Sequence, residues 1–420
     1  MARLLYCLVL YLGTPLVWLR LLWRSRRQPE YLQRLGERWG FYDPRPEKPI
    51  LWVHAVSVGE TRAAQPLVEA LLQAFPDHAL LLTGMTPTGR AAGREVFGSR
   101  VVQAYLPYDY PGAVGRFFRH FRPRLGILME TEIWPNLLAE ARRQGVPVAL
   151  VNARLSERSA RGYRRLAALT RPSFASLAAV AAQTPADADR LRAAGASVVE
   201  ICGNLKFDVA PAEAAIALGH QWRAALGGRP VWLAASTREG EEALLVAALA
   251  RHPLPAGTLA VVVPRHPQRF DEVATLLRAA GLKVSRRSAG LPEGETQVWL
   301  GDSMGEMAAY YTLADLAYVG GSLLPLGGQN LIEAANCGCP VLVGPHTFNF
   351  AQATADAIVA GAARRVADAD GMLAASSRLL EDSGELAAMG ESARHFAAAH
   401  RGATERALAL ILRLRDRAGR

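Results

Sequence analysis

Lysine is almost missing from this 420-residue chain: only Lys48, Lys206 and Lys283 occur, so a formal net charge of +10 is carried nearly entirely by arginine. Positive charge of this size favours anionic partners such as an anionic membrane surface or a phosphorylated substrate. Nucleic acid is argued against, because no basic patch interleaved with aromatics and no recognised binding motif is present. Cysteine is sparse too. Cys7, Cys202, Cys337 and Cys339 include one lone C-x-C and no second pair, which suits free thiols in a reducing compartment better than zinc. No low-complexity tract appears, and a composition that is 50% hydrophobic and 20% charged argues against disorder. Neither G-x-S-x-G nor H-E-x-x-H occurs, against a serine hydrolase or a zincin. Asp187-Ala188-Asp189 and Asp368-Ala369-Asp370 have the form of a D-x-D metal motif, but both fall where helices are expected to begin, and Asp there caps orphan amides. The sequence therefore asks for no metal and no cofactor.

One long apolar run is present. Leu4 to Trp23 reads LLYCLVLYLGTPLVWLRLLW, and about twenty helical residues span about 30 Å, one bilayer core. Pro15 is placed to kink it, Arg20 to snorkel, and Trp18 and Trp23 to sit at an interface. Arg24, Arg26 and Arg27 follow, against Arg3 alone before the run, so everything after residue 24 is expected in the cytoplasm. Two arrangements remain open, a full span and an interfacial helix that does not cross. A cleaved signal peptide does not fit, because no small-x-small site follows and the flanking charge is reversed.

From residue 49 onward, short apolar β-branched runs alternate with helical stretches: ILWVH, ALLLTG, RLGILM, VPVALV, LAAVAA and SVVEI. The alternation breaks near KFDVAPAEAAIA (206–217) and restarts with VWLAAS, TLAVVVP, QVWLG, LAYVGG and PVLVG. Strands apolar throughout, separated by amphipathic helices, predict parallel sheets covered on both faces. The expected organisation is an anchor over 1–28, one Rossmann-like domain over 29–210 and a second over 211–420, with the last helical segment from about Glu385 in the second. Two such domains are expected to face a cleft.

In open α/β sheets, function gathers in the loops after the strands. Those loops carry Glu60, then Glu130 and Glu132, then Asn152, then Lys206 at the junction. In the second half they carry Ser236 and Thr237, Arg265 and His266, Gly305-Glu306-Met307, and Asn330-Leu331-Ile332-Glu333. Local alternatives stand beside each functional reading. Glu60 also suits a helix's first turn, where the dipole favours a carboxylate and keeps it ionised. Glu130 and Glu132 also suit a solvated loop, and Asn330 with Glu333 also suits a capping pair. The glycines at 320, 321, 327 and 328 do not form G-x-G-x-x-G, but they let backbone amides approach a phosphate.

The runs HAVSVGE (54–60), ETEIWPN (130–136), NARLSERS (152–159), GNLKFD (203–208), STREGEE (236–242), VPRHPQRF (263–270), GDSMGEM (301–307), YVGGS (318–322) and VGPHTFNF (343–350) together resemble the 3-deoxy-D-manno-octulosonic acid (Kdo) transferases of lipopolysaccharide biosynthesis. The resemblance covers essentially the whole chain, the anchor included. It implies a GT-B fold and inverting, metal-independent transfer of Kdo from CMP-Kdo to a phosphorylated lipid A precursor (lipid IVA) at the cytoplasmic face of the inner membrane. It also implies Glu60 as the catalytic base, transition-state roles for Glu130 and Lys206, and a CMP site at Ser236, Thr237, Arg265, His266, Gly305, Glu306, Met307, Asn330, Leu331, Ile332 and Glu333. Two positions depart from the family pattern. Gly84 stands where a second threonine is usual, removing a hydroxyl, and Gln329 stands where histidine is common. The competing readings are a GT-B enzyme for another nucleotide sugar and a membrane-tethered nucleotide-binding protein without chemistry.

Overall fold

β1 (Ile50–His54) is buried at all of its residues, as a strand must be when helices cover both faces of its sheet. The same pressure acts on its neighbours. The computed structural model, which describes residues 1–26 and 28–418 with side chains through Asp416, divides into two units. In the first, β1 is followed by β2 (Ala79–Gly84), β3 (Val102–Tyr105), β4 (Pro123–Met129), β5 (Val148–Ala153), β6 (Ala179–Ala182) and β7 (Val199–Ile201). They form one seven-stranded sheet, order β3-β2-β1-β4-β5-β6-β7, with every pairing parallel. In the second, β8 (Val231–Thr237), β9 (Leu259–Pro264), β10 (Val284–Arg286), β11 (Val298–Leu300), β12 (Leu316–Val319), β13 (Val341–Val343) and β14 (Ala363–Arg365) give the order β10-β11-β9-β8-β12-β13-β14, again parallel. This is the doubly wound α/β architecture expected from the alternation. The short edge strands β3, β10 and β14 were not legible in it.

The first sheet is sandwiched between two apolar layers. One gathers Val53, Leu67, Leu82, Ile127 and Val151; the other gathers Trp52, Phe117, Phe118, Leu150 and Phe174. Side chains of this size contribute about 1.5–3 kcal/mol each on full burial. Helix entries follow local chemistry. Ser57, Thr86, Ser156 and Thr184 each accept an N–H bond from the third helical residue. Asp187 is a first-turn partner of the Thr184 hydroxyl, and Asp368 caps its helix by accepting from the Gly371 N–H.

Two expectations are corrected. The closing helix Ala403–Ala418 belongs with the first unit, not the second: the units are Met1–Val209 with Arg401–Arg420, and Ala210–His400. Its Ala407, Leu410 and Ile411 complete the layer of Val53 and Leu67. Asp208, the last acid of GNLKFD, accepts the N–H groups of Gly402 (2.8 Å) and Thr404 (2.6 Å), so the chain leaves the first unit and returns to it at one stitched point. The N-terminal run, expected as one helix of spanning length, is two, although the kink expected at Pro15 is there. It is α1 (Ala2–Leu12) and α2 (Thr14–Ser25), bent by 49°. Gly13 sits at the break, and Pro15, which has no N–H and crowds the carbonyl a turn back, can only begin α2. Among the described residues no single helix is long and apolar enough to cross a membrane, while the bent pair together has the length and composition. Arg27, part of the charge argument for orientation, lies outside the described residues.

Candidate active site

In the first unit the strand order reverses between β1 and β4, and ligands in such sheets bind at that switch point, beyond the carboxyl ends of the strands. Glu60 and Glu130 follow those two strands. Ser57 begins the short helix Val58–Ala63 and accepts the Glu60 N–H at 3.3 Å. The Glu60 carboxylate reaches back, taking the Val56 N–H at 2.8 Å and the Ser57 hydroxyl at 2.9 Å. This is a capping box, so the local reading of Glu60 is borne out as geometry. The expectation that the helix terminus keeps Glu60 ionised is not. Burial pushes its pKa up to about 7, Glu130 and Glu132 push the same way, and the bonds from Val56 and Ser57 only partly oppose them.

Glu130 leaves β4 with φ 58°, a left-handed conformation that costs a non-glycine residue roughly 1–3 kcal/mol. Its N–H is held by Val151 O at 2.9 Å, and its carboxylate receives Lys206 Nζ at 3.2 Å across 76 residues of sequence. Lys206 stands on the turn Leu205–Asp208, between the buried side chains of Leu205 and Phe207. That turn is fixed by side-chain amides: Asn152 Oδ1 accepts the Leu205 N–H at 3.1 Å, and Asn204 Oδ1 accepts the Lys206 N–H at 3.1 Å. Both ends of the Glu130–Lys206 pair are about one-fifth exposed, reachable yet shielded. Glu132 accepts from Trp134 Nε1 at 2.6 Å, and burial with Glu130 raises its pKa. Burial and neighbouring carboxylates therefore favour a proton on Glu60 near neutral pH.

The second unit repeats the arrangement. Its order reverses between β8 and β12, and the loops after β8, β9, β11 and β12 carry the residues singled out in this half. Ser236 takes φ 55° at the end of β8. Beside it Gly320 has no alternative, because a Cβ there would lie 2.5 Å from Ser236 O. Arg265 and His266 follow β9 and are exposed. Partial burial, with the guanidiniums of Arg238, Arg265 and Arg269, holds the His266 imidazole below its ordinary pKa. Glu306 accepts from Arg287 at 3.0 Å and from the Ser303 hydroxyl. Asn330 caps the helix Leu331–Asn336 through the Ile332 N–H and donates to Glu333 at 3.1 Å, so the capping pair is real.

Not every singled-out side chain is free to touch a ligand. Thr237 is 1% exposed and its hydroxyl donates to Glu242 at 2.7 Å; Leu331 and Ile332 face the core. Glu241, which the sequence placed in the STREGEE run without a role of its own, is fully buried. Its carboxylate takes the N–H groups of Arg238 (2.9 Å), Gly321 (2.6 Å) and Leu323 (3.1 Å) and the Tyr318 hydroxyl (2.5 Å), tying the loops after β8 and β12 together. The sequence signal for it was its place in the STREGEE run (236–242).

Residues 33–209 match the family described as 3-Deoxy-D-manno-octulosonic-acid transferase (kdotransferase). The 3-deoxy-D-manno-octulosonic acid transferase of Bordetella pertussis is 49% identical over 97% of this chain and 98% of its own length. That of Haemophilus influenzae is 36% identical over 98% of both. Among solved structures, the UDP-GlcNAc 2-epimerase from Neisseria meningitidis bound to UDP-GlcNAc superposes with a TM-score of 0.59, at 15% identity, over 87% of this chain and all of that one. That likeness establishes the two-sheet GT-B-like fold alone.

Proposed function

The chain belongs to the 3-deoxy-D-manno-octulosonic acid (Kdo) transferase family, and from that premise we propose that it transfers Kdo with inversion from CMP-Kdo to a phosphorylated lipid A precursor, with Glu60 as the base. The observation that carries this reading is the meeting of Glu130 with Lys206, 3.2 Å apart, at the same switch point as Glu60, whose pKa burial first and the nearby Glu130 carboxylate next raise to about 7. A general base works best when its pKa lies near the operating pH.

In the proposed step, Glu60 accepts the proton of the acceptor hydroxyl. The hydroxyl oxygen bonds to the anomeric carbon, and the bond from that carbon to the phosphate oxygen breaks. CMP leaves with the electron pair. In the second unit Arg265 has the charge to offset what grows on the phosphate; in the first, Lys206 has the charge to stabilise the transition state, and Glu130 keeps it directed until substrate arrives. Arg265, His266, Glu306 and Glu333 are the side chains of the second unit with the chemistry to hold CMP, Glu333 by accepting from ribose hydroxyls. Residues 305–307 and 330–332 contribute through backbone. The first unit is then the acceptor domain and the second the donor domain. The apolar α1 and α2 hold the enzyme at the inner membrane, on the cytoplasmic side, where a phosphorylated glycolipid resides.

The test is transfer of labelled Kdo from CMP-Kdo to lipid IVA, with mass spectrometry of the product. Competition by CMP, and none by UDP, is expected at the donor site. UDP competing as well as CMP would assign the chain to a different donor.

A further inference from the structure

α1 and α2 present two unlike faces. Toward the first unit, the Tyr6 hydroxyl donates to Asp109 Oδ2 at 3.0 Å, Cys7 Sγ meets Asn136 Oδ1 at 3.4 Å, and the Thr14 and Tyr110 hydroxyls lie 2.9 Å apart. Trp18 stacks on Trp39, ring centroids 5.9 Å apart at 18°, and Leu21 is buried. Asp109 is itself buried, and the same carboxylate caps the helix Pro135–Arg143 through the N–H groups of Asn136 (3.0 Å) and Leu137 (2.8 Å). Away from the unit, Leu4, Leu5, Leu8, Leu12, Leu16 and Leu19 are exposed.

A crossing helix cannot keep the inward contacts, because they hold both helices along their length against a polar, hydrogen-bonded surface. Each helix alone, of 11 and 12 residues, reaches about 17 Å, short of the roughly 30 Å apolar core of a bilayer. An apolar face on a helix docked along its other face is the geometry of a segment lying in the interface.

Beside α1 opens a cavity of about 430 Å³ lined by Arg3, Pro111, Asn136, Glu140, Arg142 and Arg143, among others. Arg143 shares Glu140 at 2.5 Å; among the described residues Arg3 and Arg142 enter no ion pair. Arg142 and Arg143 close the helix Pro135–Arg143, where they offset its dipole. Arg3 arrives from a different element to line the same space, and its charge also acts on the buried Asp109 carboxylate. Three guanidiniums line the space with one carboxylate, Glu140, and the buried Asp109 offsets Arg3 only from behind; the remaining positive charge suits a phosphodiester, and the exposed leucines suit the acyl chains beneath it.

We propose that α1 and α2 lie in the surface of an anionic bilayer without crossing it, and that Arg3, Arg142 and Arg143 hold the head-group phosphate of an acidic glycerophospholipid. This deepens the membrane attachment read above and is independent of the transfer chemistry.

The test is co-sedimentation of the full chain with vesicles of phosphatidylcholine, alone or with phosphatidylglycerol. Wild type is expected to favour the phosphatidylglycerol vesicles. Arg3→Gln and Arg142→Gln are each expected to lose roughly fivefold of that binding while transferring Kdo normally to detergent-dispersed acceptor. Equal binding to both vesicles, or variants that bind like wild type, would overturn the head-group site. So would a raised KM for dispersed acceptor with vesicle binding intact, which would assign the arginines to the acceptor's phosphate. A protease-cleavable tag placed before Met1 reads the topology. Cleavage only in inside-out membrane vesicles is expected, and cleavage in spheroplasts would show a crossing.

Discussion

Glu60 carries two jobs with one carboxylate. Its bonds to Val56 and Ser57 organise the start of the helix Val58–Ala63, and burial beside Glu130 and Glu132 lifts its pKa to about 7. Base catalysis needs the ionised form, so transfer is expected to rise about tenfold per pH unit below about 7 and to level off above it; a kcat/KM profile checks this. Glu60→Gln keeps an oxygen for the Val56 N–H and removes the base. It is expected to lower kcat about 10²–10⁴-fold with CMP affinity retained in titration calorimetry; near-normal turnover would remove Glu60 from the role. The stability effect has the opposite sign to a salt-bridged acid. A carboxyl whose folded pKa is raised from 4.5 to about 7 contributes stability at low pH that is lost as pH rises through that interval. Glu60→Gln is therefore expected to lose less thermal stability than wild type as pH rises from about 4.5 to about 7. The Glu130–Lys206 pair invites a double-mutant cycle. If the two act as one unit, Glu130→Gln with Lys206→Met is expected to cost little more in kcat than either single change, whereas additive losses would mean separate roles.

At the scale of elements, each sheet presents its chemistry where the strand order reverses, and rigid backbone devices hold the loops there. In the second unit the devices are Glu241 and Gly320. Gly320→Ala places a methyl group 2.5 Å from Ser236 O. The contact is backbone on both sides, so the loop after β8 must move, and weaker CMP binding is expected along with a lower Tm. Glu241→Ala strands the N–H groups of Gly321 and Arg238, while the Leu323 N–H keeps the Tyr318 hydroxyl at 3.2 Å; the cost is about 1–3 kcal/mol for each unsatisfied group, read as a lower denaturation midpoint. Thr237→Val separates a structural hydroxyl from a ligand-binding one. Because that hydroxyl is spent on Glu242, the change is expected to lower stability by about 1 kcal/mol and leave the KM for CMP-Kdo unaltered.

For the molecule as a whole, the chain is not two consecutive halves. The first unit takes back the closing helix Ala403–Ala418, and Ile411, with none of its surface exposed, sits in the layer of Val53 and Leu67. Ile411→Ala is expected to cost about 2–5 kcal/mol, and hydrogen exchange should register the loss in β1 and its helices, more than 340 residues earlier in sequence. Arginine-dominated charge suits the proposed reaction, in which both substrates and the membrane surface are anionic.

The alternation of apolar runs with amphipathic helices determined, from sequence alone, that there would be two parallel sheets, because strands buried on both faces leave a continuous hydrophobic signature. It also placed Glu60, Glu130 and Lys206 in loops after strands, and family motifs attached chemistry to them. Short edge strands such as β10 and β14, at three residues each, left no such signature. Three features were decided only by tertiary structure. The closing helix joins the first unit because Asp208 captures its first amides and its Leu410, Ile411 and Leu414 pack into the layer of Val53 and Leu67. Glu241 becomes a buried hub because β8 and β12 are neighbours in space, 80 residues apart at its bond to Gly321. The apolar N-terminal run, long enough on paper to span a bilayer, bends at Gly13 and docks one face. Composition sets how hydrophobic a helix is, but only its contacts set which side of it remains for lipid.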